Sequence, residues 1–195
     1  AAAREIGGVQ IQASGTIGGN LCTASPAGDS IPCLMTLNAA IELASHRGVR
    51  RLPLNEFLTG PRQTACAPDE LVTAVYVPSD AETGVGGFEK LGARRYLVIS
   101  IAMTAARLSI ADGRIGDAAI SVGACAPVAV RLTDLEAELR GMACDMAGDF
   151  IRDSRSGIMA ALSPIDDVRG TAGYRRDAAA EIVARLVERL CGEFG

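Results

Sequence analysis

Residues 108–123 read LSIADGRIGDAAISVG, and this stretch constrains the chain more tightly than any other. Two strand-forming runs flank the dipeptide Asp112-Gly113, which tolerates the left-handed backbone of a tight hairpin turn. An antiparallel pair is therefore predicted here, inside the longer strand-rich region YLVISIAMTAARLSIADGRIGDAAISVGACAP. ELVTAVYVP (70–78) is β-branched, alternates in polarity and stops at Pro78, so it predicts a further strand. An apolar strand is expected near 40–44, followed by a turn at HRGVRR in which Gly48 takes positive φ.

Helical signals cluster elsewhere. Pro32 suits the first turn of a short helix through about Leu37, with Asp29 or Ser30 as its cap. Thr133 and Glu136 have the spacing of a capping box, and Gly141 follows as a stop. In 174–191, Ile182, Val183, Leu186, Val187 and Leu190 fall on one helical face. Residues 142–162 are expected to be helical as well. The polar, glycine-rich SDAETGVGG (79–87) predicts a boundary between a first part, 1–80, and a second, 81–195. The whole reads as an α+β chain.

Composition narrows the function. A net charge of −4 argues against a nucleic-acid footprint, which needs clustered Lys and Arg. No apolar run is long enough for a membrane-spanning helix. The single histidine, His46, leaves little room for a catalytic triad or a histidine-rich metal centre. The six cysteines (22, 33, 66, 125, 144 and 191) form no CxxC and match no zinc or iron–sulfur spacing, so free thiols and no bound metal are expected. The opening AAAREIGGVQIQ lacks the basic and apolar regions of a signal peptide, and AAARE reads as the last turn of a helix whose earlier part lies outside the sequence.

One stretch invites chemistry: SGTIGGNLCTASPAGD (14–29) carries no charge until Asp29. Adjacent Gly18 and Gly19 let backbone N–H groups converge on phosphate oxygens, while Thr16, Ser25 and Asn20 add neutral donors. A tight loop between two strands is the other reading of the same residues. Neither GxGxxG nor GK[ST] is present. Asp29 is a candidate acceptor for ribose or adenine donors, or simply the cap before Pro32.

These residues sit in a longer run of ordered motifs: IGGVQIQASGTIGGNLCTASPAGDSIPCLMTLNA, GPRQTACAPDELVTAVYVP, GGFEKLGARRYLVIS, APVAVRLTDLEAELRG and SPIDDVRGTAGYRRDAAAEIVARLV. Together they resemble the FAD-binding (medium) subunit of the molybdenum hydroxylases, such as the carbon monoxide dehydrogenase medium subunit and the xanthine dehydrogenase FAD domain. The resemblance implies an α+β fold: an FAD-binding PCMH/VAO-type mixed-sheet subdomain, then an antiparallel three-stranded sheet with a C-terminal helical group. It implies FAD as cofactor, with Thr16, Ile17, Gly18, Gly19 and Asn20 against the pyrophosphate, Ser25 close by, and Asp29 in contact with the FAD. Val72 and Lys90 are implied to reach the flavin, and Tyr96 to lie beside the isoalloxazine. Ile6 stands where one branch of the family has a phenylalanine.

The activity implied is electron transfer: a molybdopterin-binding large subunit acts on the organic substrate, a [2Fe-2S] small subunit relays electrons, and FAD passes them to NAD+, a quinone or oxygen. A cytoplasmic, heteromeric complex follows from that. The resemblance further implies a preceding N-terminal FAD subdomain whose glycine-rich turn forms the other wall of the pyrophosphate site; nothing in this sequence matches that turn. Two alternatives stand beside this reading: a flavin-free structural subunit of such a complex, favoured by the unmatched turn, and a stand-alone flavin oxidase, disfavoured by the lack of a catalytic base.

Overall fold

A computed structural model describes residues 2–95 and 97–194 of the chain. After a 3-10 turn at Ala2–Glu5 come three short helices, α1 (Val9–Ser14), α2 (Ile17–Thr23) and α3 (Ser30–Thr36). Strands β1 (Ala40–Ser45) and β2 (Gly48–Pro53) follow, then the single turn α4 (Leu54–Phe57). Two short strands, β3 (Leu58–Gly60) and β4 (Gln63–Thr64), precede β5 (Leu71–Tyr76). The order β2-β1-β5 makes one sheet, antiparallel throughout. The pairing is antiparallel because β1 and β2 join through a tight turn at His46-Arg47 and β5 returns against β1. Ile41 and Leu43 point from β1 into a core with Leu21, Ile31, Leu34 and Phe57, while β2 is largely exposed. The period-2 alternation of a strand puts these two residues on one face.

The second half is built on β6 (Val85–Leu91), β7 (Ala102–Ala111), β8 (Arg114–Gly123) and the two-residue β9 (Val130–Arg131), paired in that order and antiparallel. These are the three expected long strands with a short fourth at the edge. The hairpin turn falls at Asp112-Gly113, both with positive φ. Helices α5 (Thr133–Leu139), α6 (Cys144–Asp153), α7 (Arg155–Ala160) and α8 (Ala172–Phe194) follow. Strand β7 is buried from Ala102 to Leu108 because both its faces are covered. Ala102, Ala106 and Leu108 pack with Val183, Leu186, Val187 and Leu190 of α8. Met103 and Ala105, on the opposite face, pack against Phe88 and against Cys33 of α3. Each valine, leucine, methionine or phenylalanine side chain removed from water here contributes about 1.5–3 kcal/mol, and each alanine methyl less.

Two glycines permit this close layering. A Cβ on Gly123 would lie 2.4 Å from Met103 Cε and 2.8 Å from Pro32 Cγ, and one on Gly87 would lie 2.6 Å from Leu186 Cδ1. Helix α3 therefore belongs to both halves, closing on the first core and on β7 and β8.

The capping box does not form. Leu132 occupies the cap position of α5, and the buried Glu136 carboxylate turns inward, accepting the Ile120 N–H at 2.7 Å and pairing with Arg131 at 2.7 Å. An inward carboxylate with a guanidinium and a strand amide to satisfy outweighs a solvent-exposed cap. Residues 142–162, expected to be helical, divide into α6 and α7 at Ser154. Among the described residues no helix is long and apolar enough to cross a membrane.

Candidate functional site

TIGGN is a helix start, not a free loop. Thr16 is extended (φ −121°, ψ 154°) and its Oγ1 accepts the Gly19 N–H at 3.0 Å, while the Asn20 N–H donates to the Thr16 carbonyl at 3.0 Å. The expected nest or inter-strand loop is thereby corrected: the threonine cap closes these five residues into the first turn of α2. With the Gly19 and Asn20 amides taken in this way, the Ile17 and Gly18 N–H groups are the opening amides without an intrahelical acceptor. Gly18 faces β5, where a Cβ on it would lie 3.9 Å from Val72 Cγ1.

Ala24 ends α2 in the left-handed region and reverses the chain. The loop that follows is tight: Gly28 N–H donates to the Ser25 carbonyl at 2.9 Å, and Ala27 N–H to Ser25 Oγ at 3.3 Å. It delivers Asp29 to the cap position of α3, where its side chain makes no cap bond. The cap reading of Asp29 fails because stronger partners are in reach. Asp29 Oδ2 meets Lys90 Nζ of β6 at 2.6 Å, and Oδ1 accepts the Ser100 hydroxyl at 2.6 Å. All three side chains are buried; those of Lys90 and Asp29 are 8% and 7% exposed. Lys90 also donates to the Glu5 carbonyl at 3.4 Å.

A cavity of about 350 Å³ opens beside this cluster, lined among others by Asn20, Ser25, Asp29, Lys90 and Ile6. A second, of about 430 Å³, shares Glu5, Lys90 and Val98 with it and continues past Phe88, Arg94 and Arg95. The two make one elongated cleft of the size that binds small molecules. Asn20 Oδ1 is taken by the Ser30 hydroxyl at 2.6 Å, which fixes the amide and leaves its NH2 group as donor. Beside the Asp29–Lys90 pair the donor set is thus an amide, a hydroxyl and the two arginines Arg94 and Arg95, with Glu5 as a further carboxylate residue in the lining. Such a set suits a ligand that carries phosphate together with hydroxyl and ring-nitrogen groups, as FAD does.

Of the residues predicted from sequence, Asn20, Ser25, Asp29 and Lys90 line this cleft, and Ile6 with them. Thr16, Ile17, Gly18 and Gly19 form the adjoining helix start, and Val72 packs beside Gly18 on β5 without lining the cavity. Tyr96 lies outside the described residues. Sequence reasoning missed Ser100, which bonds Asp29 across 71 residues of chain. No local pattern marks it; its one sequence cue is its place in the GGFEKLGARRYLVIS motif.

Two family models match this chain. Residues 1–80 match the family model of the FAD binding domain in molybdopterin dehydrogenase, and residues 88–190 that of the CO dehydrogenase flavoprotein C-terminal domain. The nicotine 6-hydroxylase medium subunit of Paenarthrobacter nicotinovorans is 34% identical over 188 residues, covering 96% of this chain and 64% of that protein. The xanthine dehydrogenase FAD-binding subunit of Escherichia coli O157:H7 is 33% identical over 137 residues, covering 70% of this chain and 47% of that one. Among solved structures, the Cu,Mo-CO dehydrogenase in its cyanide-inactivated form superposes with a TM-score of 0.88 at 31% identity, covering 98% of this chain and 66% of that one. The chain therefore spans less than two thirds of the length of each of these proteins. Asp29 lies in the first matched region, and Lys90 and Ser100 in the second, so the cleft straddles both.

Proposed function

This chain belongs to the flavoprotein family of the molybdopterin and carbon monoxide dehydrogenases, and from that premise we propose that it holds FAD and relays electrons within a molybdenum hydroxylase complex. The observation that carries the proposal is the buried Asp29–Lys90–Ser100 cluster in the wall of a cleft formed by both family regions. FAD, when bound, supplies a ring that takes up electrons and passes them on.

The chain's own residues position and tune that group. Thr16, Ile17, Gly18, Gly19 and Asn20 form the wall against the pyrophosphate, with the Ile17 and Gly18 amides and the Asn20 side chain as its donors. Ser25 and Asp29 offer a hydroxyl and a carboxylate to the nucleotide end. Val72 supports Gly18 from β5, Lys90 presents a cation to the flavin, and Tyr96 covers the ring. The working units are residues 1–80 and 81–195.

The partners are a molybdopterin-binding large subunit and a [2Fe-2S] small subunit in the cytoplasm, with NAD+, a quinone or oxygen as acceptor. An N-terminal FAD subdomain completes the pyrophosphate site. One observation favours the alternative of a flavin-free structural subunit: Asp29 and Lys90 satisfy each other without a ligand. Purifying the chain with its partner subunits and recording the visible absorption spectrum separates the two. Flavin bands at one equivalent per chain are expected; a fully assembled complex without them would overturn the proposal.

A further inference from the structure

Arg175 lies in the first turn of α8 and lines neither cavity of the cleft. Its side chain is nevertheless 4% exposed, and its guanidinium reaches three partners. Nη1 donates to the Ile101 carbonyl at 2.7 Å and to the Ala124 carbonyl at 3.3 Å, while Nη2 pairs with Asp167 at 2.5 Å. Nε is buried without a hydrogen-bond partner among the described residues. Burying a guanidinium with one donor unmet costs free energy that an apolar side chain of similar length would not incur. Asp167 meets its charge, and its Nη1 group is spent on two backbone carbonyls.

Both carbonyls belong to segments that anchor the Asp29 loop. Ile101 follows Ser100, whose hydroxyl fixes Asp29 Oδ1, and its own N–H closes on the Leu91 carbonyl at 2.8 Å, one residue beyond Lys90. Ala124, in a left-handed conformation (φ 62°), donates its N–H to the Pro26 carbonyl at 2.9 Å, beside Ser25. One guanidinium thus ties together the backbone that carries Ser100 and the backbone that braces Ser25–Asp29.

Resting on the FAD reading above, we infer that Arg175, oriented by Asp167, is a positioning residue for the cofactor: it sets the geometry of Ser100 and the Ser25–Asp29 loop without touching the ligand. Neighbouring thiol and backbone groups pack on the same joint, Cys125 Sγ lying 3.7 Å from the Arg175 carbonyl. The motif SPIDDVRGTAGYR supplies the arrangement: Thr171 Oγ1 accepts the Tyr174 N–H at the start of α8, Asp166 accepts the Ala172 N–H, and Asp167 holds Arg175.

The test uses the assembled complex carrying Arg175→Met, Arg175→Lys and Asp167→Asn, with FAD affinity measured by fluorescence titration and flavin midpoint potential by dye-coupled reduction. Arg175→Met is expected to weaken FAD binding on the order of tenfold, the scale of coupling through a contiguous network, and to shift the potential. Arg175→Lys should recover part of both, since an ammonium still reaches one carbonyl. Asp167→Asn, which leaves the guanidinium buried, should move both readouts in the same direction if Arg175→Met fails to assemble. Combining Arg175→Met with Ser100→Ala should add little to the loss of either alone, because both act on Asp29. Wild-type affinity and potential in the Arg175→Met and Asp167→Asn variants, or strict additivity with Ser100→Ala, would overturn the positioning role while leaving the FAD reading intact. A wild-type complex that binds no FAD would overturn both.

Discussion

Asp29 and Lys90, 61 residues apart in the chain, meet at 2.6 Å in a pair from which water is almost wholly excluded. One comes from the loop before α3 and the other from β6, so the contact ties the two halves together at the cleft itself. Removing one partner leaves an uncompensated buried charge, which costs about 3–5 kcal/mol, whereas removing both costs much less. Asp29→Ala and Lys90→Met should each lower the urea midpoint strongly, and the double variant should be more stable than the sum of the two losses predicts. Additive losses would show that the pair is not coupled. Ser100→Ala, which removes one hydrogen bond to a charged group, should cost about 1.5–3 kcal/mol.

The glycines offer a sharper contrast. Gly123→Ala forces a Cβ against Met103 and the rigid ring of Pro32, and overpacking of this kind costs about 1–3 kcal/mol. Gly157, inside α7, has nothing within 4 Å of its would-be Cβ and no positive φ. Gly157→Ala should therefore stabilise by about 0.4–1 kcal/mol through the unfolded chain. Thermal melts of the two variants should move in opposite directions; a stable Gly123→Ala variant would contradict the close packing of α3 on β8.

How much of this was legible beforehand depends on how local each interaction is. The Asp112-Gly113 hairpin and the apolar face of α8 were readable because turn chemistry and periodicity act within a few residues. Glu136 misled because its capping-box spacing is local, while its actual partners, Ile120 and Arg131, arrive through the sheet. Ser100 and Arg175 were invisible for the same reason: their partners lie 71 and 74 residues away. The glycine pair was recognised as special, yet its helical conformation followed from the Thr16 cap, whose effect composition alone does not reveal.

Acid should expose two carboxylates. The Arg169 backbone N–H, and after it Arg175, hold the Asp167 carboxyl well below its ordinary value, at about 2. Glu70 is brought to about 2 by the Arg50 guanidinium and then by the Ala67 N–H. A folded pKa below the unfolded one means stabilisation that is complete above the ordinary carboxylate range and lost as pH falls toward about 2. Melting temperature should therefore drop between about pH 4.5 and about pH 2, and less steeply in Asp167→Asn and Glu70→Gln. Parallel profiles for wild type and both variants would rule these pairs out as the acid-sensitive contacts.

At the alkaline end the buried thiols act with the opposite sign. Burial pushes Cys33 and Cys125 from the ordinary 9.0 up to about 11, and burial together with the neighbouring Cys144 pushes Cys191 up to about 12. A thiol that stays neutral in the folded state but ionises when unfolded stabilises the fold fully below the unfolded value, and that contribution disappears as pH rises through the folded one. Melting temperature should thus decline from about pH 9 upward, and Cys125→Ala should flatten the decline. The same burial governs reactivity, since the thiolate is the nucleophile. Iodoacetamide at about pH 8 should label the exposed Cys22 first and leave Cys125 and Cys191 for the unfolded protein, as read by peptide mass spectrometry. Early labelling of Cys125 would mean that the joint between Ile101 and Arg175 opens in the native state, and the contacts assigned to Arg175 would then fail with it.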